Sequence, residues 1–262
     1  MLQTKRLRKI KQCRLCDSVD FSLFFDFGFV PLGNNLLEDK NKSRLVDEYP
    51  LNIVRCKNCH HFQLMYAVDP NLLYATNYTY LSGIGKSFVK HMVEYVDWVQ
   101  LKCNLNSSSS ILEIGSNDGS CLEIFKNKGY KVCGVDPAEL PCKIANKKGI
   151  PTINDFFNQV VADQVISEFG YFDLVTSQNA LAHVDNLKDT FTNINKVLKN
   201  DGFLVFEIGY FKDVLDTGCF DTTYHEHLDY HHAAPLSNHL NKKGFQLVSL
   251  ETNKVQGGSL RV

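Results

Sequence analysis

The alternation of apolar and polar positions organises the chain around one stretch. Ile111-Leu-Glu-Ile114 is a short, mostly apolar run that ends in Gly115-Ser-Asn-Asp-Gly119. The pattern resumes as Ser120-Cys-Leu-Glu-Ile-Phe125 with helical spacing, which predicts strand, tight turn and helix. Strands are predicted at 110–114, 131–136, 152–153, 172–177 and 202–208, with helical patterns between them. Strands alternating with helices predict an α/β, doubly wound parallel sheet over residues 107–250. Ligands of such sheets lie outside the carboxyl ends of the strands, and glycines there let backbone approach a ligand closely.

Upstream, Phe88, Val89, Met92, Val93, Tyr95, Val96 and Val99 mark one face of a helix, and the polar, Ser-rich residues 104–110 separate it from the sheet. Residues 71–106 therefore read as a connecting helical segment. Within it, Asn77-Tyr78-Thr-Tyr80-Leu-Ser82-Gly83-Ile-Gly85 reads as a loop whose aromatics pack as core. Residues 1–70 form a separate small module. Its Phe24-Phe25-Asp-Phe27-Gly-Phe29 and Pro31-Leu-Gly-Asn-Asn35 predict short strands and turns.

Composition narrows the classes. The 262 residues are 44% hydrophobic and 22% charged with a net charge of −1, so no general electrostatic attraction to nucleic acid or anionic membrane is expected. No apolar run approaches the ~18 residues of a membrane span. The basic start (Lys5, Arg6, Arg8, Lys9, Lys11) lacks the apolar stretch of a signal peptide. Nine cysteines, four of them in Cys-x-x-Cys pairs, suit a reducing compartment, and a cytoplasmic location is expected.

Those pairs are Cys13-Arg-Leu-Cys16 and Cys56-Lys-Asn-Cys59. Each puts two thiolates on one turn, and two turns complete a tetrahedral site suited to structural Zn2+. With four sulfurs available, His60 and His61 are expected to be exposed or to stand behind the ligands.

Asp136 closes the second strand about 20 residues after the glycine turn, the spacing at which an acid accepts the hydroxyls of a ribose. The alternative is a carboxylate capping the next helix. Asn179 and His183 follow the fourth strand. Further on, Phe220-Asp-Thr-Thr-Tyr224-His225-Glu226-His227-Leu-Asp-Tyr230-His231-His232 concentrates ionisable side chains. No convincing metal triad emerges from it. General acid–base chemistry is the favoured reading, with a neighbouring carboxylate fixing a histidine tautomer, against a merely solvated polar loop.

The glycine loop Glu113-Ile-Gly115-Ser-Asn-Asp-Gly119, the acid Asp136 and Val197-Leu-Lys-Asn-Asp-Gly202 together resemble the class I S-adenosylmethionine-dependent methyltransferases, with a Rossmann-like sheet. An NAD-binding dehydrogenase fits less well. Gly115 and Gly119 do not make Gly-x-Gly-x-x-Gly, and Asp118 would oppose a pyrophosphate. Adding the two cysteine pairs, Asn-Tyr-x-Tyr-x-Ser, Asn-x-x-Ala-His-Val, Tyr-His-Glu-His-Leu and Gly-Gly-Ser-Leu-Arg-Val, nearly the whole chain resembles the sugar C-methyltransferases that act on nucleotide-linked 4-keto-6-deoxy sugars.

That resemblance implies S-adenosyl-L-methionine as cofactor, held by Gly115, Ser116, Asn117, Asp118, Gly119, Asp136, Pro137 and Asn179. It implies His227 as the base, with Glu226 beside it, and Tyr78, Tyr224 and His183 at other active-site positions. Cys13, Cys16, Cys56 and Cys59 would hold structural zinc. The substrate would be a nucleotide-linked keto sugar, most often a thymidine diphosphate sugar. An O- or N-methyltransferase of the same fold, or a non-catalytic zinc- and nucleoside-binding protein, are the alternatives. Relatives continue for a further C-terminal domain, so residues 251–262 are expected to begin that domain, largely absent here. The chain would then stop at Val262 within an unpaired strand that exposes a sheet edge.

Overall fold

The computed structural model describes residues 6–34, 39, 41, 46–75, 78 and 80–262. Asn35, Asn77 and Thr79 of the stretches singled out above lie outside the described residues.

The centre is a seven-stranded sheet. Five parallel strands form its body: β6 (Ser110–Ile114), β7 (Lys131–Asp136), β8 (Thr152–Asn154), β9 (Phe172–Gln178) and β10 (Leu198–Gly209). Two short strands near the end of the chain, β12 (Glu251–Asn253) and β13 (Ser259–Arg261), complete it in the order β12-β13-β10-β9-β6-β7-β8. The order reverses beside β6, so the crevice at its carboxyl end is the topological switch point where ligands of such sheets bind. Both faces are covered, which is why Ile111 through Ile114 are all buried. One face packs Ile111, Leu174 and Val205 against α1 (Lys86–Lys102), α2 (Ser120–Asn127) and α3 (Glu139–Lys147). The other packs Leu112, Val135, Val175 and Phe206 against α4 (Gln159–Phe169), α5 (Leu187–Val197) and α7 (Ala233–Lys242). On α1 the buried residues are His91, Met92, Tyr95, Val96 and Val99, close to the expected face, although Val93 is exposed.

Residues 251–262 contribute two strands to the main sheet. β13 lies between β10 and β12, antiparallel to both, so the terminal strand is paired on each side and is not an open edge. Leu260 is fully buried in the sheet core.

The N-terminal region holds β1 (Leu7–Lys9), β2 (Phe21–Pro31), β3 (Glu48–Cys56), β4 (Phe62–Leu64) and β5 (Tyr66–Val68). The phenylalanine-rich stretch is one strand of eleven residues rather than several short ones. Two register shifts against β3 accommodate it, as expected of bulged edge strands. The four-stranded antiparallel sheet runs β11-β4-β3-β2, and β11 (Asp229–Tyr230) comes from far downstream. With α6 (Phe211–Thr217), residues Phe211, Val214, Leu228 and Tyr230 join the core of this small sheet, around Ile53 and Leu64. The expected boundary between residues 1–70 and 107–250 is therefore crossed: the histidine-rich stretch is pinned between the two sheets.

Candidate active site

The glycine turn follows β6 directly. Gly115 (φ +73°) and Gly119 (φ +72°) take left-handed conformations, and Asn117 (φ +50°) does the same in between. A Cβ added at Gly115 would collide with the Cβ of Ala180, just past β9. Gly115→Ala should therefore combine left-handed strain of about 1–3 kcal/mol with displacement of the loop. Its melting temperature should fall and its S-adenosylmethionine affinity, read by calorimetry, should weaken at least ~10-fold, the equivalent of ~1.4 kcal/mol. An unchanged affinity would show that the turn does not need this close approach.

Asp136 sits beside the turn at the end of β7, 5% exposed. Its Oδ2 accepts the Asn117 N–H at 2.8 Å, and its Oδ1 accepts the Ala138 N–H at 2.8 Å. It thus steadies the glycine turn and the chain entering α3. Burial pushes its carboxyl upward, while those two N–H groups pull it down. Lone pairs remain for a ligand's hydroxyls. Pro137 follows directly, at the mouth of the crevice.

Asp118 is spent inside the loop. Its oxygens accept from the Ser120 N–H and hydroxyl and from the Gly83 N–H, and Lys148 lies 3.8 Å away. Asn117 fixes the segment above the turn, accepting from Ser82 N–H at 2.9 Å and donating to the Tyr80 carbonyl at 3.0 Å. Residues 80–85 therefore roof the glycine turn. Tyr78 packs against Tyr74 with ring centroids 5.8 Å apart, as the core reading expected, whereas Tyr80 is 46% exposed.

Several buried polar atoms in this crevice lack partners among the described residues: Ser116 Oγ, Glu113 Oε2 and Asn179 Nδ2. Asn179 is also left-handed, at φ +55°, and donates its N–H to the Glu207 carbonyl at 2.7 Å. Burial pushes the Glu113 carboxyl well up. Unpaired buried donors and acceptors are costly unless a ligand or water satisfies them. Together with the glycine cradle and Asp136, this donor set fits a nucleoside bearing an amino acid.

Next to the crevice, two histidines from different elements meet. His183 and His227 pack edge to face, with ring centroids 4.7 Å apart. His227 Nδ1 lies 2.7 Å from the Thr222 carbonyl, so this nitrogen must carry the proton and donate. Its Nε2 then accepts from the Tyr224 hydroxyl at 3.0 Å. His183 Nδ1 meets the Tyr74 hydroxyl at 3.1 Å, and that hydroxyl donates to the Glu226 carbonyl at 3.1 Å. His183 Nδ1 is accordingly also protonated. Burial lowers His227 to about 4 and His183 well below its ordinary value, so both rings are neutral near pH 7. Burial raises the Tyr74, Tyr78 and Tyr224 phenols, and the carboxylate of Glu226 adds to each shift. Asp136 also raises Tyr78, so Tyr78 stands within electrostatic reach of both the histidine cluster and the glycine turn. The cluster offers neutral bases and hydroxyl donors.

The carboxylate expected to fix the base does not do so. Glu226 is 3% exposed and accepts from Asn34 Nδ2 at 2.6 Å. The Thr222 backbone carbonyl fixes the His227 tautomer instead. Tyr74 was not legible beforehand, because nothing around it in sequence marks it out. His225 turns away, its Nε2 3.2 Å from the Tyr49 carbonyl, and Tyr230 and His231 are buried against the small sheet.

Cys13, Cys16, Cys56 and Cys59 come together with all four sulfurs within 4.8 Å of one another. Cys13 and Cys59 Sγ are 3.5 Å apart, and Cys16 and Cys56 Sγ 3.6 Å. A tetrahedral zinc with Zn–S bonds of ~2.3 Å places its sulfurs ~3.8 Å apart, so the set fits this ion. His60 is exposed. His61 is fully buried and bonds through Nε2 to Asp229 at 2.8 Å, behind the ligands rather than among them.

Comparison with known proteins matches two regions of the chain. Residues 90–250 match the family described as "Methyltransferase domain", and residues 13–74 match the one described as "Putative zinc binding domain". The C-methyltransferase NovU of Streptomyces niveus is 31% identical over 98% of this chain and 61% of its own length. A ubiquinone biosynthesis O-methyltransferase of Actinobacillus pleuropneumoniae is 29% identical over 42% of this chain and 50% of its own. The chain thus spans only about half to three fifths of these relatives. Among solved structures, magnesium protoporphyrin IX methyltransferase of Synechocystis with bound S-adenosylhomocysteine shares the fold at TM-score 0.50 and 17% identity, over 66% of this chain and 80% of that one. A S-adenosylmethionine-dependent methyltransferase of Archaeoglobus fulgidus does so at TM-score 0.50 and 19% identity, over 64% and 72%.

Proposed function

We propose that this chain, which belongs to the methyltransferase domain family, methylates a carbon beside the ketone of a nucleotide-linked 4-keto-6-deoxy sugar. The cofactor is S-adenosylmethionine, which when bound supplies an electrophilic methyl group. Gly115, Ser116, Asn117, Gly119, Asp136, Pro137 and Asn179 would hold it, and Asp118 would act by holding the loop together.

One observation carries the reading. His227 is a neutral imidazole whose proton is committed to a backbone carbonyl, leaving Nε2 as the acceptor, within a cluster of hydroxyl donors. Oxygen and nitrogen nucleophiles can react with modest help, but carbon must first lose a proton. A ketone makes the adjacent C–H acidic because the electron pair passes to the carbonyl oxygen as an enolate. A base positioned at that C–H and donors at the oxygen are what this step requires. His227 Nε2 would take the proton. Tyr224, which donates to Nε2 here, would give way to the substrate and become a donor to the developing oxyanion. Tyr78, His183 and Tyr74 would orient the sugar beside the crevice, and the carbanion so formed is the nucleophile that methyl transfer needs. Zinc stays structural. A reducing cytoplasm suits the free thiols, and no helix among the described residues is long and apolar enough to cross a membrane.

The test is incubation with S-adenosylmethionine and a panel of nucleotide 4-keto sugars, thymidine diphosphate sugars first, read by mass for one added methylene. In deuterated water, unreacted sugar should also take up deuterium beside the ketone. Methylation without any such exchange, and with every ring C–H retained in product, would assign the methyl to oxygen or nitrogen and refute the reading.

A further inference from the structure

The side chain of Arg14 joins the zinc knuckle to the histidine cluster. Arg14 lies between the ligands Cys13 and Cys16, and its side chain is only 6% exposed. Its Nε donates to both oxygens of Asp229 at 2.9 Å. Its Nη1 donates to the Asp185 carbonyl at 2.8 Å, and its Nη2 to the Val184 carbonyl. Its own backbone N–H donates to Gln63 Oε1 at 2.8 Å. Asp229 is two residues past His227. Val184 and Asp185 directly follow His183.

We infer that Arg14 is a positioning residue, through which the zinc knuckle sets the spacing of His183 and His227. The inference rests on the reading of His227 as the base and His183 as a group that orients the sugar. His183 follows the turn after β9, and His227 sits on the loop before β11, so no single element holds both. Their segments are tied by a backbone bond from Leu228 N–H to the Ala182 carbonyl at 2.9 Å and bridged by the Tyr74 hydroxyl. The guanidinium adds a further tie. Its planar fork reaches Asp229 on one edge and two carbonyls on another, which an ammonium on a flexible stem cannot do at once. Asp229 is itself anchored by His61 and by strand pairing of β11 to β4, so the tie has a fixed end. Burial of this pair is total at Asp229, and several hydrogen bonds complete it. Such a pair contributes geometry rather than net stability.

Arg14→Lys keeps the charge beside Asp229 and loses the fork. Because a buried charge left unpaired can prevent folding, a second variant joins Arg14→Met to Asp229→Asn, which leaves no buried charge and still offers His61 a partner. Both should keep about one zinc per chain and S-adenosylmethionine affinity within ~3-fold, since the glycine turn and Asp136 are not touched. Both should lose roughly 100-fold in kcat with KM for the sugar nearly constant, because displacing reacting groups by about an ångström costs that much. The ring-nitrogen NMR signals of His183 and His227 should move in both. A folded variant with kcat within ~3-fold of the parent and unmoved histidine signals would overturn the inference, since a merely structural arginine lowers the melting temperature and does no more. The NMR readout needs no substrate. If the parent chain is silent toward every keto sugar, the functional reading fails, and the histidine signals still decide on Arg14: moved, it positions them; unmoved, it does not.

Discussion

Replacing His227 by alanine should slow methyl transfer by about 10²- to 10⁴-fold, the usual range for a positioned general base. Binding of S-adenosylmethionine should be nearly untouched, because the glycine turn, Asp136 and Asn179 make no hydrogen bond to His227. The two effects separate chemistry from cofactor binding, and single-turnover mass measurement with calorimetry reads both. Deuterium uptake by the sugar should fall in parallel with methylation, since both require the same proton to leave. A variant that still exchanged the proton at the parent rate would move the base elsewhere, with His183 the next candidate. The acid limb of the pH profile gives an independent check. The working form is the neutral ring, and burial lowers its pKa from 6.5 to about 4. Activity should therefore stay level as pH falls past 6.5 and decline only toward 4. Tyr224→Phe should move this limb little, because desolvation rather than the phenol is the main cause of the shift.

The division of labour between sequence and structure follows from range. The glycine turn was readable because a strand, its turn and its helix are contiguous, and their residue types answer to local backbone demands. The cysteine pairs were readable because metal chemistry limits their spacing. Asp136 could be placed at the end of its strand, but not the two hydrogen bonds it accepts from Asn117 and Ala138 N–H, which depend on how two loops meet. Glu226 is the instructive failure. Adjacency in sequence suggested that it holds His227, yet neighbouring side chains on a loop diverge, and its oxygen faces Asn34. Tyr74 and Arg14 act across 109 and 215 residues respectively, on His183 and on Asp229. Each carries an ordinary residue type in an ordinary setting, so no local pattern could announce it. The partners of the final strands were illegible for the same reason: three-residue strands carry almost no pattern, and the pairing of β13 with β10 is set far away in the chain.

Cys56→Ser should abolish zinc retention and unfold the small antiparallel sheet. Cys56 is fully buried at the end of β3, and its sulfur is one corner of the four-sulfur cluster. A serine hydroxyl does not replace a thiolate in such a site. Structural zinc sites of this kind contribute about 10–16 kcal/mol of folding free energy in isolated peptides, as large as a typical domain's whole stability of about 5–15 kcal/mol. Metal analysis should drop from about one zinc per chain to near none, and chelation of the parent protein should produce the same state. The damage should spread in a definite order. Cys13, Leu15 and Cys56 pack into the core shared with α5 and α7, so the melting transition of the whole chain should fall. Methyl transfer should go next, as Arg14 leaves Asp229 and the carbonyls behind His183. Cofactor binding should be last, because β6, its glycine turn and Asp136 are held by α2, α3 and neighbouring strands, which keep their packing without the knuckle. Limited proteolysis of the zinc-free protein should cut first within residues 6–68. Retention of metal and of the parent melting temperature by Cys56→Ser would refute the four-thiolate site.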